Sequence, residues 1–435
     1  MRVAACVWWL VSGSLPALCL PDDLLTADAA QVGPVTEVHE ITLTLQQYNQ
    51  STIQRHGEER SRLLGTLDKR NGKWTANHAR HRLLDALHGF TRYRERQAAE
   101  LKRLRGLYKN VSKAQKAFLE HHLSYSSKFT HVEQKLLHNQ ALCDRVVRHA
   151  LEFYGIENEE LHKHIADTEA TGQQADKISV SQALKHIVRD WTDEGDHERS
   201  APFACMLPTL DGLFPARHAA AEKVKILVPG AGLGRLGHDI HRLRGFQVTI
   251  NEWSMFMNVV YRFIERYGLR DGQTFHPFVD GWSHHTSDSK MQRQLQFPDV
   301  DVNPHSVLMM EGDFTTAFRH QEGFYDVVVT YFFIDTARNL IMYFDTIKKI
   351  LKPGGYWINL GPLLYGTAPF VQLSLQDIVK VAEAMKFEFL ETSDECGILT
   401  FANSTVRSIE AIYGFDKEAL TKNSYNAQFW VAKRL

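Results

Sequence analysis

The stretch ILVPGAGLGRLGHDI, residues 226–240, decides the fold. An apolar run ends at Val228, glycines follow at Gly230, Gly232 and Gly234, and a helical pattern begins behind them. Glycine tolerates positive φ and lets a ligand approach the main chain, and the helix N-terminus beyond such a turn offers free N–H groups. The dinucleotide fingerprint G-x-G-x-x-G would put its third glycine at position 235, which is Arg235. The spacing here is G-x-G-x-G, and that disfavours a dehydrogenase. Glu252 closes the next apolar run, twenty residues beyond Gly232. A carboxylate in that place accepts from both hydroxyls of a ribose, whichever nucleoside carries it.

Outward from this turn the pattern alternates. Strands are expected at 223–228, 246–251, 305–311, 325–333, 355–361, 387–393 and 427–435, with helices at 254–267, 336–351 and 374–385 between several of them. This is the signature of an α/β fold with a doubly wound, mostly parallel, seven-stranded sheet. The last two strands lack a full-length crossover helix between them, which suits an antiparallel final strand. Residues 276–305 break the alternation and read as a long loop, a feature that is often functional. A helix is expected from about Ser181 to Gly195, preceded by a loop over Asp167–Ser181.

The chain divides on this reading into a leader-like segment (1–20), a poorly ordered arm (21–75), a helical region (76–180) and the sheet-bearing domain (181–435). The first segment, MRVAACVWWLVSGSLPALCL, has an early Arg2, an apolar middle and small residues near Ala17. It resembles a secretory signal, and Gly13 and Pro16 break it too early for a membrane span. N-x-S/T sequons stand at Asn49, Asn110 and Asn403. Apolar residues form 44% of the chain and the formal net charge is -1, so a full core is expected and neither nucleic acid nor an anionic membrane is called for as a partner. Cys6, Cys19, Cys143, Cys205 and Cys396 show no C-x-x-C spacing; neither a disulfide framework nor a metal site is expected from them.

Two further motifs separate the nucleosides. EGDF (311–314) follows the third strand and offers Asp313 to an adenine amino group and the Phe314 ring to the base. ILKPGGYWIN (350–359) ends a helix, turns through Pro-Gly-Gly and enters a strand. With G-x-G-x-G and Glu252, these resemble the class I S-adenosylmethionine-dependent methyltransferases. The strings LVPGAGLGRLG, NEWSMFM, FFIDTARN and LKPGGYWINLGPLLY, with LKHIVRDWTDEGDHER and FPDVDVNPH, resemble the carnosine N-methyltransferase family more narrowly, from roughly residue 80 to the end.

That resemblance implies a Rossmann-like enzyme in cytoplasm and nucleus that methylates an imidazole nitrogen of carnosine, giving anserine. A secretory location is the alternative if the leader acts as one. The resemblance implies cofactor contacts at Arg189, Gly230, Glu252, Asp313 and Phe314. His186 stands where the family tends to have Gln, and Tyr331 where it has Cys. On the substrate side it implies Asp335 and Tyr425, while Gly366 replaces a substrate-contacting His and Asn423 replaces a Tyr. These departures keep open another histidine-containing peptide or protein as acceptor, with His284 or His285 as stand-ins for the lost imidazole, and also a non-catalytic scaffold. Asp335 is expected to accept an N–H from the distal imidazole nitrogen, or alternatively to cap a helix beginning near Thr336. The expected partner is a small carnosine-like peptide, with no metal, and a homodimer is left open.

Overall fold

The computed structural model describes residues 36–435 except residue 367, with side chains from residue 50 onward. Two compact units are distinguished, Met1–Ile53 and Gln54–Leu435; the second carries everything below. The leader-like segment lies outside the described residues. In chain order the helical elements before the sheet are α1 (Thr36–Thr66), α2 (Ala79–Thr91), α3 (Tyr93–Tyr108), α4 (Lys113–Leu123), α5 (Tyr125–Tyr154), α6 (Asn158–Ala170), α7 (Lys177–Trp191) and α8 (Asp196–Leu213). The alternating part runs β1 (Val224–Pro229), α9 (Arg235–Arg242), β2 (Phe246–Glu252), α10 (Met255–Tyr267), β3 (Gln273–Phe275), α11 (Asp288–Met291), β4 (Leu295–Phe297) and β5 (Val307–Glu311). It continues with α12 (Phe314–Ala317), β6 (Tyr325–Tyr331), α13 (Leu340–Ile350), β7 (Leu351–Gly361), α14 (Leu375–Ala384), β8 (Phe387–Leu390), β9 (Ile398–Leu399), β10 (Arg407–Ile412) and β11 (Ser424–Arg434).

The central sheet has the order β5-β2-β1-β6-β7-β11-β10-β9, with β8 also on β11. From β5 to β7 every pairing is parallel, whereas β11 lies antiparallel to β7. All seven expected strands are present, so the alternating pattern was a sound guide. The sheet nevertheless has nine strands among the described residues, not seven. β9 and β10 are the additions. Strand β11 is long enough to share one edge between two partners: residues 424–429 pair with β10, and residues 431–434 pair with β8. The apolar helices α12, α13 and α14 cover one face of the sheet through Phe314, Phe344 and Ile378. On the other, α5, α7, α8 and α10 share a core with β1 and β2.

Three expectations are corrected. The arm expected at 21–75 contains α1, whose C-terminal end is anchored because Leu63 and Leu67, one turn apart, are both buried. The loop expected over Asp167–Ser181 is largely helical: α6 reaches Ala170, and Asp176 caps α7 by accepting from the Ile178 and Ser179 N–H groups. An Asp so placed satisfies donors that a helix start leaves free, so α7 begins before Ser181. The long loop at 276–305 also carries structure, α11 and the strand β4, which pairs with β3.

The cysteines also differ from expectation. Cys205 on α8 and Cys396, in the 3₁₀ turn before β9, form a disulfide across a sequence separation of 191 residues. No local spacing could announce that pair, because only the packing of α8 on the β9–β10 extension brings the two sulfurs together. Cys143 is free and buried. Closing so long a loop restricts the unfolded chain by up to about 5 kcal/mol on chain-entropy grounds. Reduction is therefore expected to lower the thermal midpoint by several degrees, measured by scanning calorimetry, and a Cys205→Ala/Cys396→Ala variant should melt at the lower temperature whether or not reductant is present.

Candidate functional site

The glycine turn lies at the carboxyl end of β1, the position at which open α/β sheets bind ligands. Gly230 adopts φ 62° and Gly234 φ 82°. A Cβ on Gly230 would meet the Phe333 ring at 2.2 Å, and one on Gly234 would meet Ile250 and Tyr261 at 2.8 Å. The two glycines thus answer to different neighbours. Gly230 and Gly232 line a cavity of about 230 Å3, while Gly234 faces the core instead and starts α9.

Helix α7 delivers the polar side of this cavity. Its last turn carries Arg189, Asp190 and Trp191, all buried. Asp190 accepts from Arg189 Nε at 2.9 Å through one oxygen and from the Leu233 N–H at 3.0 Å through the other. Trp191 Nε1 donates to the Leu233 carbonyl at 2.8 Å. Burial alone would raise the Asp190 carboxyl, but Arg189 beside it and the Leu233 N–H hold it below the usual carboxylate range. His186, one turn earlier, is driven down to about 3 by burial and by Arg189. It is therefore neutral. Arg189 Nη2 lies 2.7 Å from His186 Nδ1; since a guanidinium only donates, Nδ1 accepts and the proton sits on Nε2.

Glu252 ends β2 and lines the same cavity. Its Oε2 accepts from the Gly232 N–H at 3.0 Å, and its Oε1 accepts from the Trp253 and Ser254 N–H groups at 2.8 Å each. Burial raises its pKa and these three N–H groups oppose that shift. The carboxylate is held at the turn, and Oε2 keeps one lone pair free of these three N–H groups. Arg235, the residue that breaks the dinucleotide spacing, is itself buried and tied to Asp299 at 2.6 Å and Asp239 at 2.9 Å.

The other expected cofactor residues are placed less uniformly. Tyr331 lines the cavity at the end of β6. Asp313 is exposed and its Oδ1 caps α12 by accepting from the Thr315 N–H at 2.8 Å. Phe314 is buried among Phe318, Phe333 and Tyr343 and does not line the cavity.

Asp335 occupies a 3₁₀ turn after β6 and is buried. It is not a helix cap: Asn339 caps α13, accepting from the Met342 N–H. Asp335 Oδ2 accepts from the Leu364 N–H at 2.9 Å, and burial lifts the carboxyl above its ordinary value. Its neighbour Thr336 lines the cavity. Tyr425 belongs to a trio of rings: Phe332 stacks on Tyr413 with centroids 5.2 Å apart, and Tyr425 stands edge-on to both at 5.9 Å. Phe332 holds a left-handed backbone at φ 50°, a strain of the kind that clusters at functional sites. His285 is engaged elsewhere, 2.6 Å from the Gly281 carbonyl, and neither it nor His284 lines the cavity. Sequence reasoning missed Phe203 on α8, Phe332 and Tyr413, all of which line it. The aromatic run YFF at 331–333 was a signal for Phe332; Tyr413 follows a strand that carried no clear alternation.

Comparison with known proteins follows the same lines. A family model described as carnosine N-methyltransferase matches residues 166–435. The carnosine N-methyltransferase of Schizosaccharomyces pombe is 35% identical over 276 residues, covering 58% of this chain and 70% of that protein. The carnosine N-methyltransferase of Rattus norvegicus is 35% identical over 288 residues, covering 63% and 70%. Among solved structures, a SAM-dependent methyltransferase from Aquifex aeolicus is 10% identical, covers 59% of this chain and 98% of its own, and gives a TM-score of 0.32, too low to bear on the site.

The buried Arg189–Asp190 pair yields a stability prediction. Asp190→Ala leaves a guanidinium buried without its partner, which costs about 3–5 kcal/mol. Asp68→Ala, at the exposed pair with Arg70, should leave the unfolding midpoint almost unchanged, because water screens such a pair. Urea unfolding of the two variants checks the contrast.

Proposed function

The chain belongs to the carnosine N-methyltransferase family, and on that footing we propose that it transfers a methyl group to an imidazole nitrogen of carnosine, giving anserine. It is a methyltransferase and its cofactor is S-adenosylmethionine. The observation that carries the reading is the cavity at the carboxyl end of β1, in which Gly230, Glu252, Arg189 and His186 meet. The donor set fits the cofactor's chemistry. Glu252 suits its ribose, and the Arg189 cation with His186 Nε2–H suits the carboxylate of its amino-acid end. The cofactor, when bound, supplies an electrophilic methyl on a positively charged sulfur.

The protein's share is placement and desolvation. Asp335 accepts the N–H of the distal imidazole nitrogen and so fixes the tautomer whose near nitrogen carries a lone pair, the orienting logic of a His–Asp couple. The same carboxylate stabilises the imidazolium as it forms. The stacked Phe332 and Tyr413 rings, which line the cavity, would put aromatic surface beside that charge.

Gly366 and Asn423 bear on the acceptor. A Cβ on Gly366 would meet no atom within 4 Å, so a side chain can leave the main chain there without a clash. A second reading, another histidine-containing peptide or protein as acceptor, is favoured by these two residues. The compartment proposed is cytoplasm and nucleus, where the cofactor is made. The Cys205–Cys396 disulfide favours the secretory alternative, since such bonds persist in oxidising compartments. No described helix is long and apolar enough to cross a membrane.

Labelled cofactor incubated with carnosine and a panel of other imidazole peptides tests the acceptor: label on carnosine supports the proposal, and label on another member alone replaces it. Gly366→His should raise kcat/KM for carnosine. Asp335→Asn should cut kcat about a hundredfold or more with little change in cofactor affinity. Because burial raises the Asp335 pKa, the carboxylate takes up its proton at a higher pH than an ordinary Asp. Wild-type kcat should therefore fall on the acid side above the usual carboxylate range, and that limb should be missing in Asp335→Asn.

A further inference from the structure

Glu252 is oriented by main-chain N–H groups, and two of the three belong to Trp253 and Ser254. Ser254 is tied into the start of α10, its carbonyl accepting from the Asn258 N–H at 2.9 Å, but the Trp253 side chain is not held by the core. Trp253 is 53% exposed. Its partner comes from the helical region: Arg82 on α2 donates from Nη2 to the Trp253 carbonyl, and the guanidinium carbon lies 3.7 Å from the centroid of the Trp253 ring. One side chain thus grips both the carbonyl and the indole of the residue next to Glu252. A planar guanidinium can do both at once; an ammonium cannot.

The charge of Arg82 is placed to matter as well. The carboxylates near enough to support it are Asp313 and Glu252, the two assigned above to adenine and ribose. Burial draws its pKa down to about 10, which still leaves it a cation at neutral pH. Arg82 and Trp253 line a second cavity of about 550 Å3 together with Asp176 and Ser179 of the α7 start; Ser254 lines both this cavity and the cofactor cavity. Arg82 also lies outside residues 166–435, the part matched by the family model.

We propose that Arg82 is a positioning residue for the cofactor: it fixes Trp253 and thereby the two N–H groups that aim Glu252, and it sets a cation beside the Glu252 carboxylate. The helical region then belongs to the binding machinery rather than standing beside it. The proposal deepens the cofactor reading and rests on it.

The test uses the full chain and S-adenosylhomocysteine as the probe. Calorimetry should show Arg82→Ala binding it about tenfold more weakly, with Arg82→Lys in between. In turnover, KM for S-adenosylmethionine should rise by a similar factor while kcat stays within about twofold. Amide exchange in the unliganded protein should quicken at Trp253 and Ser254. Trp253→Ala removes the same grip from the other side; it should give the same loss, and the double variant no further loss. Wild-type-like affinity and exchange in Arg82→Ala would overturn the proposal and leave the cofactor reading standing. So would additive losses in the double variant. If Arg82→Ala fails to fold, Trp253→Ala decides alone: unchanged affinity there overturns the proposal. A wild-type protein that binds no S-adenosylhomocysteine would sink the cofactor reading and this proposal with it.

Discussion

One buried carboxylate sets the register of the whole site. Asp190 has two oxygens and two partners, the Arg189 guanidinium and the Leu233 N–H. The first neutralises its charge in a place where an unpaired charge would cost several kcal/mol. The second fastens the last turn of α7 to the glycine turn. Trp191 adds a bond to the Leu233 carbonyl, and Arg235 Nη1 reaches back to the Asp190 carbonyl at 3.0 Å. The turn is therefore held by a helix that precedes the sheet, not by its own strand and helix alone. Because the Gly232 N–H in turn donates to Glu252, the Glu252 carboxylate and the Arg189 cation have a fixed spacing before any ligand arrives. Preorganised charge of this sort does not need to rearrange during reaction.

The opposite wall depends on the extension beyond the parallel sheet. Glu198 of α8 is buried and accepts from the Phe415 N–H. Phe203 of the same helix stands edge-on to Tyr331 at 5.9 Å. The disulfide from Cys205 to Cys396 ties that helix to the segment leading into β9 and β10, and β10 leads directly to Tyr413. Thus α8, whose first turn closes the string LKHIVRDWTDEGDHER, joins the cavity wall at Tyr331 to the aromatic trio. Its packing explains why two extra strands extend a sheet that would otherwise end at β11 and β8.

Much of this was legible in the sequence wherever local rules govern. The run KVKILV followed by glycines places β1 and the turn, since apolar runs and positive-φ glycines are determined by near neighbours. Glu252 was legible because it ends a strand at a fixed distance from that turn. Asp335 was legible in position but not in its bonding, because its Leu364 partner comes from another connection. Gly234 shows the limit of motif reading: its spacing matches a ligand-contacting glycine, yet its missing Cβ makes room for Ile250 and Tyr261. Phe203, Tyr413 and the Cys205–Cys396 pair depend on contacts between segments far apart in the chain. So does the Arg82–Trp253 grip, across 171 residues. No periodicity or spacing reports such contacts, which arise only when helices and strands pack.

On the proposed reading, the His and Tyr that the resemblance implies in place of Gly366 and Asn423 are best weighed by following the charge. Methyl transfer to a neutral imidazole moves one positive charge from sulfur to the acceptor ring. A neutral His or Tyr contact binds the acceptor about equally before and after that movement, so its removal weakens binding more than the chemical step. Asp335 does not act equally. A buried carboxylate attracts a bound imidazole far more once that imidazole is a cation. Under the proposed reaction Asp335 would respond to the moving charge, whereas positions 366 and 423 would bear on the grip of the acceptor alone. If the proposed acceptor is right, a change at 366 or 423 would alter which imidazole enters and how tightly it is held more than the chemical step itself.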